Sequence, residues 1–474
     1  MGKPTGFMEF RRQEVPHREV GQRVKDFFEI DMPLPADALL KQAARCMDCG
    51  VPFCHGTGCP LNNRVPEFND FIYKGRWQEA CENLHSTNNF PEITGRICPA
   101  LCEASCTLSF NDQPVLIKHI ELQIVERGWA EGWITPKVAR VKTGYKVAVV
   151  GSGPAGLAVA QQLARAGHSV VLFEKDSRIG GLLRYGIPDF KLDKRILDRR
   201  LEQMAAEGVE FRTSVEIGED MSPKYLRGHY DAIVLTMGAG QPRDLTVGGR
   251  ELQNVHYALE FLIQQNKINA GDKLTGPQID AKDKIVAVIG GGDTGSDCVG
   301  TSQRHGAKQI FQYEILPMPP ESRPADTPWP MWPRVLRTSS SHEEGCNRRW
   351  CVLTKKLVGS NGRVEELHGI EVQWTPNGKG GYNMSEIPGS EFVQKVDLVL
   401  LAMGFTGVVQ AGMVQKMGVK LDPRGNVSAT NYMTSEEGIF VAGDATEGAS
   451  LVVRAIASGR KCASAVDQWL RSKK

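Results

Sequence analysis

The stretch Lys146–Lys175, KVAVVGSGPAGLAVAQQLARAGHSVVLFEK, constrains this chain more than any other. An apolar, β-rich run, Val147–Val150, leads into Gly151, Gly153 and Gly156, spaced G-x-G-x-x-G. A helical run follows (Leu157, Val159, Ala160, Leu163), then a second strand, Val170–Phe173, ending at Glu174 and Lys175. The first glycine permits a tight turn. The second lets backbone N–H groups approach a pyrophosphate, and the third lets helix and strand pack closely. Ser152, Pro154 and Ala155 fill the loop and the helix start, where the helix dipole faces phosphates. The acid accepts hydrogen bonds from ribose hydroxyls. A lone glycine motif is weak, but strand, helix, second strand and acid together predict a dinucleotide-binding unit.

A second such unit begins at Lys284, KIVAVIGGGDTGSDCVGTSQRHGAKQIFQYE. Its glycines are Gly290, Gly292 and Gly295, with Asp293 and Thr294 between them, and its second strand, Gln309–Tyr313, ends at Glu314. Two complete units imply two dinucleotides. Gly180-Gly181, followed by Leu182, and the turn Gly186-Ile187-Pro188 suit close contact with a flat ring system. The helix Lys194–Glu207 and the strands Val209–Thr213 and Asp231–Gly240 return the chain to the first sheet. Near the end, GIFVAGDATEGASLVVRAIASGR reads as a strand ending at Gly443-Asp444 and a helix starting near Ser450. Asp444 suits a ribityl or ribose hydroxyl. A helix N-terminus at Ser450, Leu451 and Val452 would set positive dipole at a flavin ring edge. Leu316–Pro333 is a loop whose Trp329 and Trp332 cover a cofactor or pack the loop down. Further strands are expected at Gly369–Trp374 and Lys395–Met403.

Of the chain's 12 cysteines, most crowd into Cys46-x-x-Cys49-x4-Cys54-x4-Cys59-Pro60 and Cys98-Pro99-x-x-Cys102-x3-Cys106. The N-terminus has no apolar export segment, so crowded thiols favour metal or cluster binding over disulfides. The spacing, with prolines after Cys59 and Cys98, matches iron–sulfur ligation. Zinc is the lesser reading, because the second group lacks a C-x-x-C pair. Two four-iron clusters need about eight ligands. A non-cysteine group therefore completes the second cluster, or only one is bound. The helix after Pro114 puts Glu121 on the side of Ile117 and Ile124. A carboxylate on an apolar face needs a reason: a cluster, or an ion pair with Arg127 or Lys118. Cys81 reads as a core thiol, and His55 and His85 as ordinary histidines. Between the cysteine groups two amphipathic helices are expected. Residues before about Pro33 read as a solvated arm, with a basic docking face of Arg11, Arg12, Arg18 and Arg23 as the alternative.

At 474 residues, roughly three domains are expected. Lys and Arg number 57 against 55 Asp and Glu, which argues for neither nucleic acid nor an anionic membrane. No apolar run reaches the roughly 18 residues of a membrane helix. A cytoplasmic protein is expected.

The segments CMDCGVPFCHGTGCPL, NNFPEITGRICPALCEASC, GSGPAG, GGGDTGSDC and IFVAGDATEGASLVVRAI together resemble the small (β) subunit family of glutamate synthase. Similar architecture occurs in the N-terminal half of dihydropyrimidine dehydrogenase and, without the cysteine domain, in adrenodoxin-reductase-like flavoproteins. The resemblance implies an α/β fold with an all-α iron–sulfur domain, residues 1–143, before two Rossmann-like domains. The second of these is inserted in the first: 144–254 and 398–474 for FAD, 255–397 for a nicotinamide. It implies one 4Fe-4S cluster on Cys46, Cys49, Cys54 and Cys106, and a second on Cys59, Cys98 and Cys102 with Glu121 as the non-cysteine ligand. A reduced nicotinamide would deliver hydride to the flavin, with no acid–base side chain required. Electrons would leave through the clusters to the FMN of a separate large (α) subunit, which makes glutamate from 2-oxoglutarate and glutamine. Glu314, with no Arg beside it, accepts from free ribose hydroxyls and repels a 2′-phosphate, so NADH is expected over NADPH. Arg323 is the competing phosphate partner. The alternative output is a pyrimidine-reducing or ferredoxin-linked partner.

Overall fold

Apolar residues spaced three and four apart wind residues 36–130 into a helical domain. Its main helices are Ala36–Ala44, Val65–Tyr73, Trp77–Thr87, Pro91–Ile97 and Ile117–Ala130, with every cysteine of the two groups on the segments between them and Cys81 inside Trp77–Thr87. The computed structural model describes every residue except Met1, Thr275, Lys379 and Lys474. Ile117, Ile120 and Ile124 are fully buried. Their helix packs on Pro91–Ile97 at Gly95, where a Cβ would stand 2.9 Å from that of Leu122. The segment expected to hold two helices holds three. Pro91 keeps the residue before it, Phe90, out of the helical region (φ −134°, ψ 62°) and then opens a helix of its own.

The N-terminal arm departs from the expected solvated strap. Arg12 donates to the carbonyls of Pro114 and Val115 and pairs with Glu103 at 2.9 Å. Arg23 is 2% exposed and pairs with Glu343 and Glu344. Arg11 alone of the four arginines stays exposed. The arm is held because distant carboxylates and carbonyls meet its guanidiniums.

The first sheet is fully parallel, in the order Ile439–Val441, Ala232–Leu235, Lys146–Val150, Ser169–Phe173, Val209–Arg212. Its central strands are continuous apolar runs, as a sheet covered on both faces requires. Helix Pro154–Arg165 packs on the C-terminal helix Val452–Ser472, with Gly459 against the Ala155 carbonyl. One apolar core joins this sheet to the helical domain.

The second sheet is also parallel, in the order Val255–Tyr257, Leu398–Leu401, Ile285–Ile289, Gln309–Tyr313, Asn347–Arg349. This corrects the expected boundary at 397/398. Leu398–Leu401 sits inside the second sheet, so the chain returns to the first domain only afterwards. The physical reason is that VDLVLLAMG is an apolar run either sheet would bury, and pairing with Ile285–Ile289 decides between them. The crossing is made by an antiparallel ribbon of Gln241–Pro242 and Phe405–Gly407. A four-stranded antiparallel sheet, from Val352 to Lys395, is appended to the second domain. Among the described residues no helix is long and apolar enough to cross a membrane.

Candidate functional site

The first glycine loop is closed by sterics and polar contacts. Gly151 has φ 103°, and a Cβ there would lie 2.6 Å from the Thr236 carbonyl. A Cβ on Gly156 would lie 2.0 Å from the Gly151 carbonyl, which lets the helix start sit on the strand end. A Cβ on Gly153 would meet nothing within 4 Å, so the floor of the loop is open. The Glu174 carboxylate accepts from the N–H and the hydroxyl of Ser152 and from Asp176 N. The Ser152 hydroxyl accepts from Gly180 N at 2.8 Å. Ser152 thus ties Glu174 to the Gly180-Gly181 turn. Gly181 stacks its backbone on Gly153, and Leu182 beyond it is 46% exposed. Lys175 points into solvent as an exposed residue.

The C-terminal segment reaches this loop from across the chain. Gly443, with φ 70°, lies against Ala155, and its N–H donates to Ser458 Oγ. Asp444 accepts from Ser450 Oγ at 3.0 Å, and burial pushes its carboxyl up to about 6. Helix Val452–Ser472 starts two residues past Ser450, with Leu451 as an N-cap that offers no side-chain bond. Its first N–H groups are therefore free for an acceptor. Open floor, uncapped helix starts, a desolvated acid and an exposed leucine together fit a dinucleotide with an apolar ring.

The second glycine loop repeats the first. Gly290 has φ 122° beneath the Ala402 carbonyl, a Cβ on Gly295 would stand 2.4 Å from the Gly290 carbonyl, and Gly292 is open. Asp293 and Thr294 open helix Asp293–His305. Glu314 accepts from Gly291 N at 2.7 Å and from Leu316 N at 2.9 Å. That arrangement matches Glu174 on Ser152. Behind the loop stands a network that sequence reasoning missed. Gln312 Nε2 donates to Gly290 O, and Gln312 Oε1 accepts from His342, which also meets Ser339. Burial pushes His342 down to about 4, so it is neutral at pH 7. The available signal was Gln312 itself, polar in an apolar strand and 2% exposed. Arg323 is turned away, donating to the carbonyls of Thr327, Met331 and Ala104.

The thiols fall into two sets. Cys46, Cys49, Cys54 and Cys106 line one cavity, with Pro52 and Ile117 among its walls. Burial, with smaller contributions from Cys106 and Cys49, pushes Cys46 up to about 12. Cys59, Cys98 and Cys102 are likewise raised by burial and then by the charge of Glu121. Glu121 is 5% exposed and accepts from Asn63 Nδ2 at 2.9 Å, and burial lifts it to about 7. Among the described residues neither ion-pair alternative forms: Arg127 faces Glu131, and the side-chain partner of Glu121 is Asn63. Among the described residues no three His, Cys, Asp or Glu close on a point as a single ion requires. Thiols standing around a volume suit a multi-atom cluster better than tetrahedral zinc. Buried neutral thiols must release protons when they ligate, so loading strengthens with pH. His85 is bonded to Cys81 O and Arg200, and Cys81 is a buried core thiol. Trp329 lies against the Cys106 segment, and Trp332 packs under Arg337.

Two families match separate stretches of the chain. Residues 145–459 match the pyridine nucleotide-disulphide oxidoreductase family, and residues 23–133 match the family described as dihydropyrimidine dehydrogenase domain II, 4Fe-4S cluster. The chain is 51% identical to the glutamate synthase [NADPH] small chain of Mycobacterium tuberculosis, over 99% of this chain and 96% of that one. It is 45% identical to the Bacillus subtilis small chain, over 99% of both. It is also 45% identical to glutamate synthase [NADH] of Schizosaccharomyces pombe, over 100% of this chain and 23% of that one. Among solved structures, Mycobacterium tuberculosis FprA in complex with NADPH has a TM-score of 0.55 at 17% identity, over 69% of this chain and 85% of that one. That likeness shows the fold alone.

Proposed function

Because this chain belongs to the glutamate synthase small-chain family, we propose that it is the electron-input subunit of that enzyme. It is an NAD(P)H oxidoreductase with a flavin-type fold and a 4Fe-4S domain. In this reading it oxidises NADH at FAD and passes electrons through two 4Fe-4S clusters to an FMN-bearing large chain. That chain forms glutamate from 2-oxoglutarate and glutamine. The observation that carries the reading is the single apolar core shared by the thiol domain and the flavin sheet.

When bound, FAD accepts hydride from a reduced nicotinamide and releases electrons singly. The chain's residues bind, orient and exclude water. The Gly151, Ser152, Gly153 and Gly156 loop takes the FAD pyrophosphate, and Glu174 holds a ribose. Gly181 and Leu182 cover the ring, and Asp444 accepts from a sugar or ribityl hydroxyl. The helix start at Leu451 and Val452 faces the ring edge with its dipole. The Gly290, Gly292 and Gly295 loop, with Asp293, Thr294 and Glu314, takes the nicotinamide nucleotide. Cys46, Cys49, Cys54 and Cys106 hold one cluster, and Cys59, Cys98, Cys102 and Glu121 the other.

Relatives carry both NADPH and NADH in their names. The preference proposed for this chain is NADH, because an acidic residue, Glu314, stands at the ribose end and Arg323 is spent on carbonyls. Measuring kcat/KM for both cofactors tests it, and a higher value for NADPH overturns it. The wider function is tested with anaerobic, FAD- and iron-loaded chain. It should reduce an artificial acceptor from NADH, and it should support glutamate formation only when a glutamate synthase large chain is added. Capture of a pyrimidine-reducing partner instead would favour the alternative output.

A further inference from the structure

The connection from Tyr313 to Ser340 carries no helix or strand. In a packed protein such long loops are usually functional. This one leaves the second glycine unit at Glu314 and crosses to the thiol domain. Three hydrogen bonds fasten it there. Arg323 donates to Ala104 O at 3.0 Å, Ser105 Oγ donates to Pro330 O at 2.8 Å, and Trp329 Nε1 donates to Cys106 O at 3.3 Å. The Trp329 ring lies on Phe53, centroids 4.6 Å apart, and meets Phe110 edge-on at 6.1 Å. Phe53 precedes Cys54, and Phe110 closes the turn Thr107–Phe110 that follows Cys106. The first thiol set is drawn from these two separate segments. Trp329 touches both.

We infer that Trp329 is a positioning residue for the first cluster. It staples the Cys54 segment to the Cys106 segment, so the nicotinamide domain completes a ligand set to which it contributes no ligand. The inference rests on the reading that Cys46, Cys49, Cys54 and Cys106 hold an iron–sulfur cluster. An indole suits the task. Its face and edge fill the gap between two phenyl rings, and its N–H reaches a carbonyl that Ser109 also engages. A leucine there keeps bulk but loses both the ring contacts and the donor. A phenylalanine keeps the ring contacts.

The test compares full-length wild type, Trp329→Leu and Trp329→Phe, each purified anaerobically. Iron, sulfide and FAD are quantified, the reduced clusters are read by electron paramagnetic resonance, and absorbance decay is followed in air. Trp329→Leu should keep its FAD and one cluster signal, while the other signal shifts or bleaches several-fold faster than in wild type. Trp329→Phe should fall between the two. Decay of Trp329→Leu at the wild-type rate with an unchanged spectrum overturns the inference. So does joint loss of FAD and both clusters, which would mark a general packing role. Iron-free wild type would instead refute the cluster reading itself.

Discussion

Single residues here act through burial. Glu121 carries a carboxyl on a buried helix face, and among the described residues its hydrogen-bond partner is the neutral Asn63. Replacing it with Ala removes the proposed eighth ligand. Glu121→Ala should retain FAD and lose roughly half of its iron, and full iron content in the variant would remove Glu121 from the ligand set. Asp444 gives a pH test. Its folded pKa, about 6, lies above the 3.8 of an ordinary aspartate. The flavin-free fold therefore holds that proton more tightly than the unfolded chain does. The resulting stabilisation is full below pH 3.8 and is lost as pH rises through 6. The whole effect is at most about 3 kcal/mol. In flavin-free protein, the Tm of Asp444→Asn minus that of wild type should rise between pH 5 and pH 7. A difference independent of pH would mean that Asp444 is not the desolvated acid described.

At the scale of elements, each glycine loop separates a structural glycine from a ligand-facing one. A Cβ on Gly156 collides with the Gly151 carbonyl and with Thr236 Oγ1, 2.0 and 2.7 Å away. Gly156→Ala should push helix Pro154–Arg165 off its strand and cost roughly 1–3 kcal/mol in flavin-free protein. Gly153→Ala meets nothing within 4 Å and should melt like wild type. Its methyl would stand in the loop proposed to take FAD, so FAD affinity should fall instead. Denaturant melts and flavin titration of the pair check this, and equal Tm losses would sink the distinction. These loops were legible in sequence because every part lies within about 30 residues of its neighbours. The Gln312, His342 and Ser339 network behind the second loop was not, because Gln312 lies on a strand while Ser339 and His342 cap a helix far along the chain.

At the scale of the molecule, the thiol and flavin domains share one core. Arg200 and Glu92, both with fully buried side chains, join them through a two-pronged pair, with Nε to Oε1 at 2.6 Å. Arg200→Ala strands a buried carboxylate and should cost about 3–5 kcal/mol. Flavin release and loss of iron–sulfur absorbance should move to lower temperature together on heating. Two well-separated transitions, with only one displaced, would show the domains to be independent. The N-terminal arm ties to the second glycine unit instead, where Arg23 and Arg304 share the Glu344 carboxylate.

By itself the sequence determined the two βαβ units, their acids, the cysteine spacing and the inward face of Glu121. Each is written in contacts between near neighbours, where backbone geometry and a helix or strand period suffice. Only the tertiary structure decided the rest. It put Leu398–Leu401 in the second sheet, drew Arg23 into a buried ion pair, turned Arg323 from a nucleotide to a carbonyl, and laid Trp329 across the Cys54 and Cys106 segments. An apolar run, a guanidinium or an indole accepts many partners of similar chemistry. Which one it meets is set by how whole domains pack, and no local pattern records that.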